Sequence, residues 1–221
     1  MSSIEPAGVD YTKPEWARSA LLVIDMQNEF VLADGASPVP GTAEILDRLV
    51  ELVNEFRRAG RPVVHVIRLY PPGSADVDPP RRASVEAGAR FVAPRTRGAA
   101  IPTSVLAAPV DLDADTLLAG EPQLLGPDEV VMYKPRWSAF HRTTLDTWLR
   151  ARDVTTVVVA GCNLPNCPRA TLFDASSHDY RAVLVPDATS QVTAARLDDL
   201  ALIGVRVVPA AEVAGALSGI H

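Results

Sequence analysis

Only 2 of the 221 residues are cysteine. That excludes a disulfide framework, and in a reducing compartment such a pair is more often reactive or buried than bridged. Positive charge is also scarce: 21 Lys and Arg stand against 27 Asp and Glu, a formal charge of -6. The basic surplus that phosphate binding relies on is missing, so no nucleic-acid partner is expected. No apolar run approaches the ~18 residues of a membrane span, and no membrane partner is expected either. The opening "MSSIEPAGVDYTKPEWARSA" lacks the basic start and apolar stretch of a secretory signal, so a cytoplasmic location is expected. The four histidines, His65, His141, His178 and His221, are scattered and leave the Cys-x4-Cys pair without the partners of a closed zinc site.

What is present is a core: the chain is 48% hydrophobic, enough for residues 1–221 to form a single α/β domain without staples. "ALLVID" reads as a buried strand ending in an acid. From Thr42 to Ala59, Ile45, Leu49, Leu52, Val53 and Phe56 recur at helical spacing before Gly60 and Pro62. "PVVHVIRL" is the next strand. Residues 70–127 break the rhythm with nine prolines and five glycines. They read as an insertion, either packed over the body or a solvated excursion, with a helical piece at "SVEAGARFVA". Strands and helices then alternate through "EVVMYK", "TTLDTWLRARD", "VTTVVVAGC", "PRATLFDASSHD", "AVLVPD", "AARLDDLALIG", "VRVVP" and "AAEVAGAL". Apolar strands joined through helices predict a three-layer, doubly wound α/β domain with a mainly parallel six-stranded sheet. The order 3-2-1-4-5-6 and the order 2-1-3-4-5-6 both satisfy the pattern.

In such a sheet the ligand lies beyond the C-terminal strand ends. Asp25 ends the first strand, Lys134 ends "EVVMYK", and Cys167 follows "VTTVVVAGC" by one turn. A carboxylate, an ammonium and a thiol converging there suffice for acyl transfer through a thiolate. Pro168 suits a first helical position, which places Cys167 at the N-cap, where the dipole lowers a thiol pKa. Cys162 sits at the strand end instead. Arg68, just past the second strand, is placed either to meet a substrate carboxylate or to fix a loop by an ion pair. Trp137 and Phe140 line the pocket or pack beneath the insertion.

Three blocks, "LLVIDMQNEF", "EVVMYKPRWSAF" and "VVVAGCNLPNCPRATLFDASSHDYRAVLVPDAT", together resemble the isochorismatase-like cysteine hydrolases, the superfamily of nicotinamidases, N-carbamoylsarcosine amidases and biuret or ureidoacrylate hydrolases. The resemblance implies cleavage of a C–N bond in a small amide, lactam, carbamoyl or ureido substrate. Asp25 would be general base and acid, Lys134 the cationic stabiliser and Cys167 the nucleophile. It also implies a cis peptide at Cys162-Asn163, an oxyanion hole from the amides of Asn163 and Cys167, Phe30 packed over the ligand, and a homo-oligomer. Metal-binding nicotinamidases carry Asp-x-His after the second strand, where this chain has "HVIRLYPPGSADVD", so neither metal nor cofactor is expected. The rival readings are isochorismate-type vinyl-ether cleavage, which uses no thiol nucleophile, and a non-catalytic member that keeps the scaffold.

Overall fold

The computed structural model describes residues 8–220. A short 3-10 helix, Trp16–Arg18, leads into β1 (Ser19–Ile24), α1 (Asn28–Val31), α2 (Leu46–Arg58) and β2 (Val63–Ile67). Then come α3 (Pro79–Glu86), α4 (Ala114–Leu118), β3 (Gln123–Leu124) and β4 (Glu129–Tyr133). The chain continues through α5 (Leu145–Arg150), β5 (Thr156–Gly161), α6 (Cys167–Ser177), β6 (Arg181–Thr189), α7 (Ala194–Ala201), β7 (Arg206–Val207) and α8 (Ala210–Ser218).

The seven strands form one sheet in the order β3-β4-β2-β1-β5-β6-β7. All neighbours are parallel except β3 and β4. Counting only the parallel strands, the order is 3-2-1-4-5-6, the first of the two expected. The extra strand, β3, comes from the insertion and pairs antiparallel on the β4 edge. It is two residues long, below the length at which periodicity in a sequence is readable.

Side chains alternate across the sheet, as the period of two requires. Leu21, Val23, Val63, Ile67, Val131 and Val158 face the layer built from α2 and α8. Ala20, Leu22, Ile24, Val64, Val66 and Val157 face the layer of α5, α6 and α7. Burial on both faces is what gives the strands their unbroken apolar sequence. The insertion is packed over the body and not solvated: Val77, Val85, Val92, Ile101, Val105 and Leu117 join the α2-side core. Its return segment docks on α1 through Asn28 N–H to Ala100 O (2.8 Å) and Glu29 N–H to Gly98 O (2.9 Å). The helix expected at 84–93 stands earlier, at Pro79–Glu86, because Pro79 and Pro80 suit the first turn and Gly88, at φ +95, ends it. Likewise β6 runs past Pro186 to Thr189, with a shift of register against β5 between Val159 and Gly161. A bulge there accommodates the proline, which has no N–H to offer the ladder.

Gly161, the last residue of β5, approaches β1 so closely that a Cβ would lie 2.3 Å from Ile24 O, and its φ is +117. Only glycine fits there. That contact brings the turn carrying Cys162–Asn166 directly above the end of β1.

Candidate active site

Beyond Ile24 the chain turns sharply: Asp25 has φ 49, a left-handed conformation that Asp tolerates better than most residues. Its N–H donates to Val66 O at 2.8 Å, extending the β1–β2 ladder by one step. On the far side of β2, Lys134 N–H donates to Ile67 O at 3.0 Å. β1 and β4 are separated by β2, a gap of about 10 Å at normal strand spacing. The long lysine side chain crosses it, and Nζ meets Asp25 Oδ2 at 2.8 Å. Lys134 is fully buried and Asp25 is 4% exposed. The pair is therefore poorly screened and strongly coupled. Asp25 Oδ1 is buried with no hydrogen-bond partner among the described residues.

Cys167 opens α6 and is itself buried, 7% exposed. The structure corrects two expectations about it. The N-cap is Asn166, and Cys167 and Pro168 occupy the first helical turn. The thiol pKa is pushed up to about 12 rather than lowered. Burial is the main cause, followed by the Asp25 charge, and hydrogen bonding to Asp25 also raises it; Lys134 and Arg68 pull the other way. The start of an 11-residue helix offers less to an anion than loss of water takes away. Asp25 Oδ2 is taken by Lys134, and Oδ1 has no hydrogen-bond partner among the described residues. Cys162 is also a free thiol, 4% exposed, pushed up to about 12 chiefly by burial, with the hydroxyls of Thr42 and Ser190 pulling the other way. It packs in the α2-side core, whereas Cys167 belongs to the α6 side.

Between the cysteines the Cys162–Asn163 peptide is cis. Asn163 Nδ2 donates to Gln191 Oε1 at 2.9 Å. The main-chain N–H groups of Asn163 and Cys167 donate to no acceptor among the described residues.

Arg68 is 5% exposed. Its Nη2 donates to Asp78 Oδ1 and Tyr70 Oη, and Tyr70 Oη donates to the same carboxylate oxygen at 2.6 Å. Burial disfavours the guanidinium charge, but Tyr70, Asp25, Asp78 and Cys167 outweigh it and raise the pKa. Of the two expected roles, the loop-fixing ion pair is the one the structure describes, with Asp78 as the partner. Trp137 lines a cavity of about 440 Å³ with Pro165, Asn166, Arg169 and Phe173, beside the start of α6. Phe30, 8% exposed, lies in the α2-side core. Phe140 stacks on His178 at 5.0 Å and lies tilted against Tyr180 at 5.7 Å. His178 caps the C-terminal end of α6, and Phe140 packs in the α6-side core, in the cluster that also holds Cys167.

Three residues at this edge escaped the sequence reading. Gln27, fully buried, donates to Arg68 O and Ala99 O and accepts from Arg68 N–H, tying the β1 loop to β2 and the insertion. A polar residue between apolar neighbours in "DMQNEF" was its signal. Tyr70 and Asp78 gave none, because their meeting with Arg68 depends on how the insertion folds back. After β2, a buried cation, a phenol and a carboxylate stand together in Arg68, Tyr70 and Asp78. Among the described residues no group of three or more His, Cys, Asp or Glu is placed to hold a metal. No described helix is long and apolar enough to cross a membrane.

The fold and site together define a doubly wound α/β protein with a thiol, a carboxylate and an ammonium at the C-terminal rim of its sheet. The family model of the isochorismatase domain matches residues 19–214. A protein of Arabidopsis thaliana named a probable inactive nicotinamidase is 33% identical over 196 residues, 86% of this chain and 92% of the relative. The ureidoacrylate amidohydrolase of Methylobacterium radiotolerans is 30% identical over 194 residues, 86% and 73%. The crystal structure of an isochorismatase family protein from Desulfovibrio vulgaris superposes with a TM-score of 0.76 at 30% identity, covering 91% of this chain and 98% of that one. The chain belongs to the isochorismatase-like cysteine hydrolase superfamily.

Proposed function

We propose that the protein is a cysteine amidohydrolase that cleaves a C–N bond of a small amide, lactam, carbamoyl or ureido substrate through a thioester. One observation carries this reading: the buried Lys134–Asp25 pair engages Oδ2 and leaves Oδ1 without a partner, while the same carboxylate acts on the Cys167 thiol. In the resting state the sulfur keeps its proton, as its raised pKa requires. When a carbonyl carbon comes within reach, Asp25 Oδ1 takes that proton as the sulfur attacks. Lys134 steadies the negative charge on the sulfur and then on the oxygen. The free amides of Asn163 and Cys167 donate to the tetrahedral oxyanion, a contribution whose loss typically costs about 10²- to 10³-fold in rate. Asp25 returns its proton to the departing nitrogen, and water activated by the same carboxylate opens the thioester. The route needs no cofactor.

The name of the Methylobacterium relative, an amidohydrolase, agrees with this chemistry. The Arabidopsis name favours the scaffold reading instead; the presence of Asp25, Lys134 and Cys167 in the sequence supports the catalytic one. A test is ammonia release from a panel of small amides by wild type and Cys167→Ala. Loss of activity in the variant is expected. Turnover of isochorismate that survives Cys167→Ala would favour vinyl-ether chemistry, and a wild type inert on amides and isochorismate would favour the scaffold. A homo-oligomer is part of the proposal, with Phe173, 38% exposed, beside the Trp137 cavity as a contact surface. A monomer in sedimentation at micromolar concentration would remove it.

A further inference from the structure

The turn 162–166 follows β5, and the segment 190–191 follows β6, its parallel neighbour in the sheet. Gly161 pairs with Thr189, so both segments leave the sheet at the same level of the same rim. Three hydrogen bonds then join them. Ser190 N–H donates to Gly161 O at 3.1 Å, Leu164 N–H to Ser190 O at 2.9 Å, and Asn163 Nδ2 to Gln191 Oε1 at 2.9 Å. The accepting side is itself anchored. Thr42 Oγ1, fully buried, donates to Ser190 Oγ at 2.9 Å, and Arg196 Nη1 from α7 donates to Gln191 O at 2.6 Å. Gln191 is thus fixed from β6, from α7 and from the segment before α2.

The backbone at this position makes the side chain informative. Gln191 has φ 58, in the left-handed region that glycine enters freely and a residue with a Cβ does not. A glutamine there calls for a use of its side chain. Among the described residues that use is the bond from Asn163. Asn163 is in turn held through its other polar groups: its O accepts Asn166 N–H at 3.0 Å and its side chain is tied to Gln191, while its own N–H donates to no described acceptor. The residue is pinned on two sides and open on the third. That open N–H is the one the proposed reaction assigns to the oxyanion. Such a donor serves only when aimed beforehand, and a misplacement of about 1 Å can cost about 10²-fold in rate.

We infer that Gln191 is a positioning residue for the oxyanion site: by accepting from the Asn163 side chain, it fixes the orientation of the Asn163 main-chain N–H. The inference rests on the amidohydrolase reading, in which that N–H meets the negative charge gathering on the substrate's carbonyl oxygen. Gln191 acts through Asn163 and takes no part in proton transfer. Its hold matters where charge develops, so it bears on the chemical step and not on substrate binding.

The test is a double-mutant cycle on the hydrolysis of a small amide by wild type, Gln191→Met, Asn163→Ala and the double variant. Methionine keeps the length of glutamine without the amide oxygen, and alanine at 163 removes the donor but keeps the main-chain N–H. Each single variant is expected to lower kcat by about tenfold or more, with KM within about twofold of wild type. The double variant should match the poorer single one within about twofold, because both substitutions break the same bond. A folded Gln191→Met with kcat within about twofold of wild type, a loss confined to KM, or losses that multiply in the double variant would overturn the inference and leave the amidohydrolase reading intact. If Gln191→Met does not fold, kcat and KM of Asn163→Ala decide by the same limits. If wild type hydrolyses no amide, the reaction reading fails, and amide hydrogen exchange judges the positioning separately. Exchange at Leu164 and Asn166 quickened by about tenfold in whichever single variant folds would support it, and unchanged exchange would overturn it.

Discussion

Asp25 and Lys134 show how a single buried contact can be indispensable without being especially stabilising. Each charge is tolerable inside the protein only because the other is there. Asp25→Asn or Lys134→Met alone is expected to lower unfolding free energy by about 3 to 5 kcal/mol, because each strands the remaining charge. Asn keeps the left-handed backbone at position 25 acceptable, so the loss in Asp25→Asn reports the charge and not the turn. The double variant should be more stable than either single one in urea titrations, and strict additivity would contradict the coupling. The Cys167 thiol makes a second prediction at this scale. With its pKa at about 12, alkylation by iodoacetamide should quicken by about tenfold per pH unit from pH 7 to 10. A rate already level at pH 7 would mean a thiolate at rest. Sequence reading found the residues of this trio because each sits at a strand end or helix start. It misjudged the thiol pKa because Cys167 is buried in the α6-side core among residues distant in the chain, which no local pattern reveals.

At the scale of elements, the site is a product of strand order. The long strand-and-helix alternation was legible, since parallel pairing leaves strands apolar on both faces. The short β3, the displaced α3 and the continuation of β6 through Pro186 were not, for each depends on a partner segment distant in the chain. Phe140 illustrates the same limit: its neighbours His178 and Tyr180 lie about 40 residues away, and they make it part of the core. Gly161 is where order and site meet. Gly161→Ala would push a methyl group against Ile24 O and strain a positive φ, at an expected cost of about 2 to 5 kcal/mol. Thermal unfolding would measure it, and a variant as stable as wild type would show that β1 and β5 do not approach as described.

Across the whole molecule, the other end of the sheet is held by a different network. Arg57 donates to both carboxylate oxygens of Glu129, at 2.9 and 2.6 Å, and His65 Nε2 lies 2.7 Å from one of them. Burial raises the Glu129 pKa, but these partners outweigh it and bring it from 4.5 down to about 2. A carboxylate whose folded pKa is depressed contributes stability above its unfolded pKa and loses it as pH falls. The expected loss is about 2 to 3 kcal/mol between pH 4.5 and 2. Glu129→Gln should remove that slope from the urea midpoint, and an unchanged slope would place the acid sensitivity elsewhere. The central claim, that Cys167 attacks a carbonyl with Asp25 and Lys134 at its side, is tested most directly by the mass of the intact protein quenched during turnover of a small amide. The account predicts an acyl adduct that maps to Cys167 and is absent from Cys167→Ala. Steady turnover by Cys167→Ala, with no adduct in either protein, would contradict it.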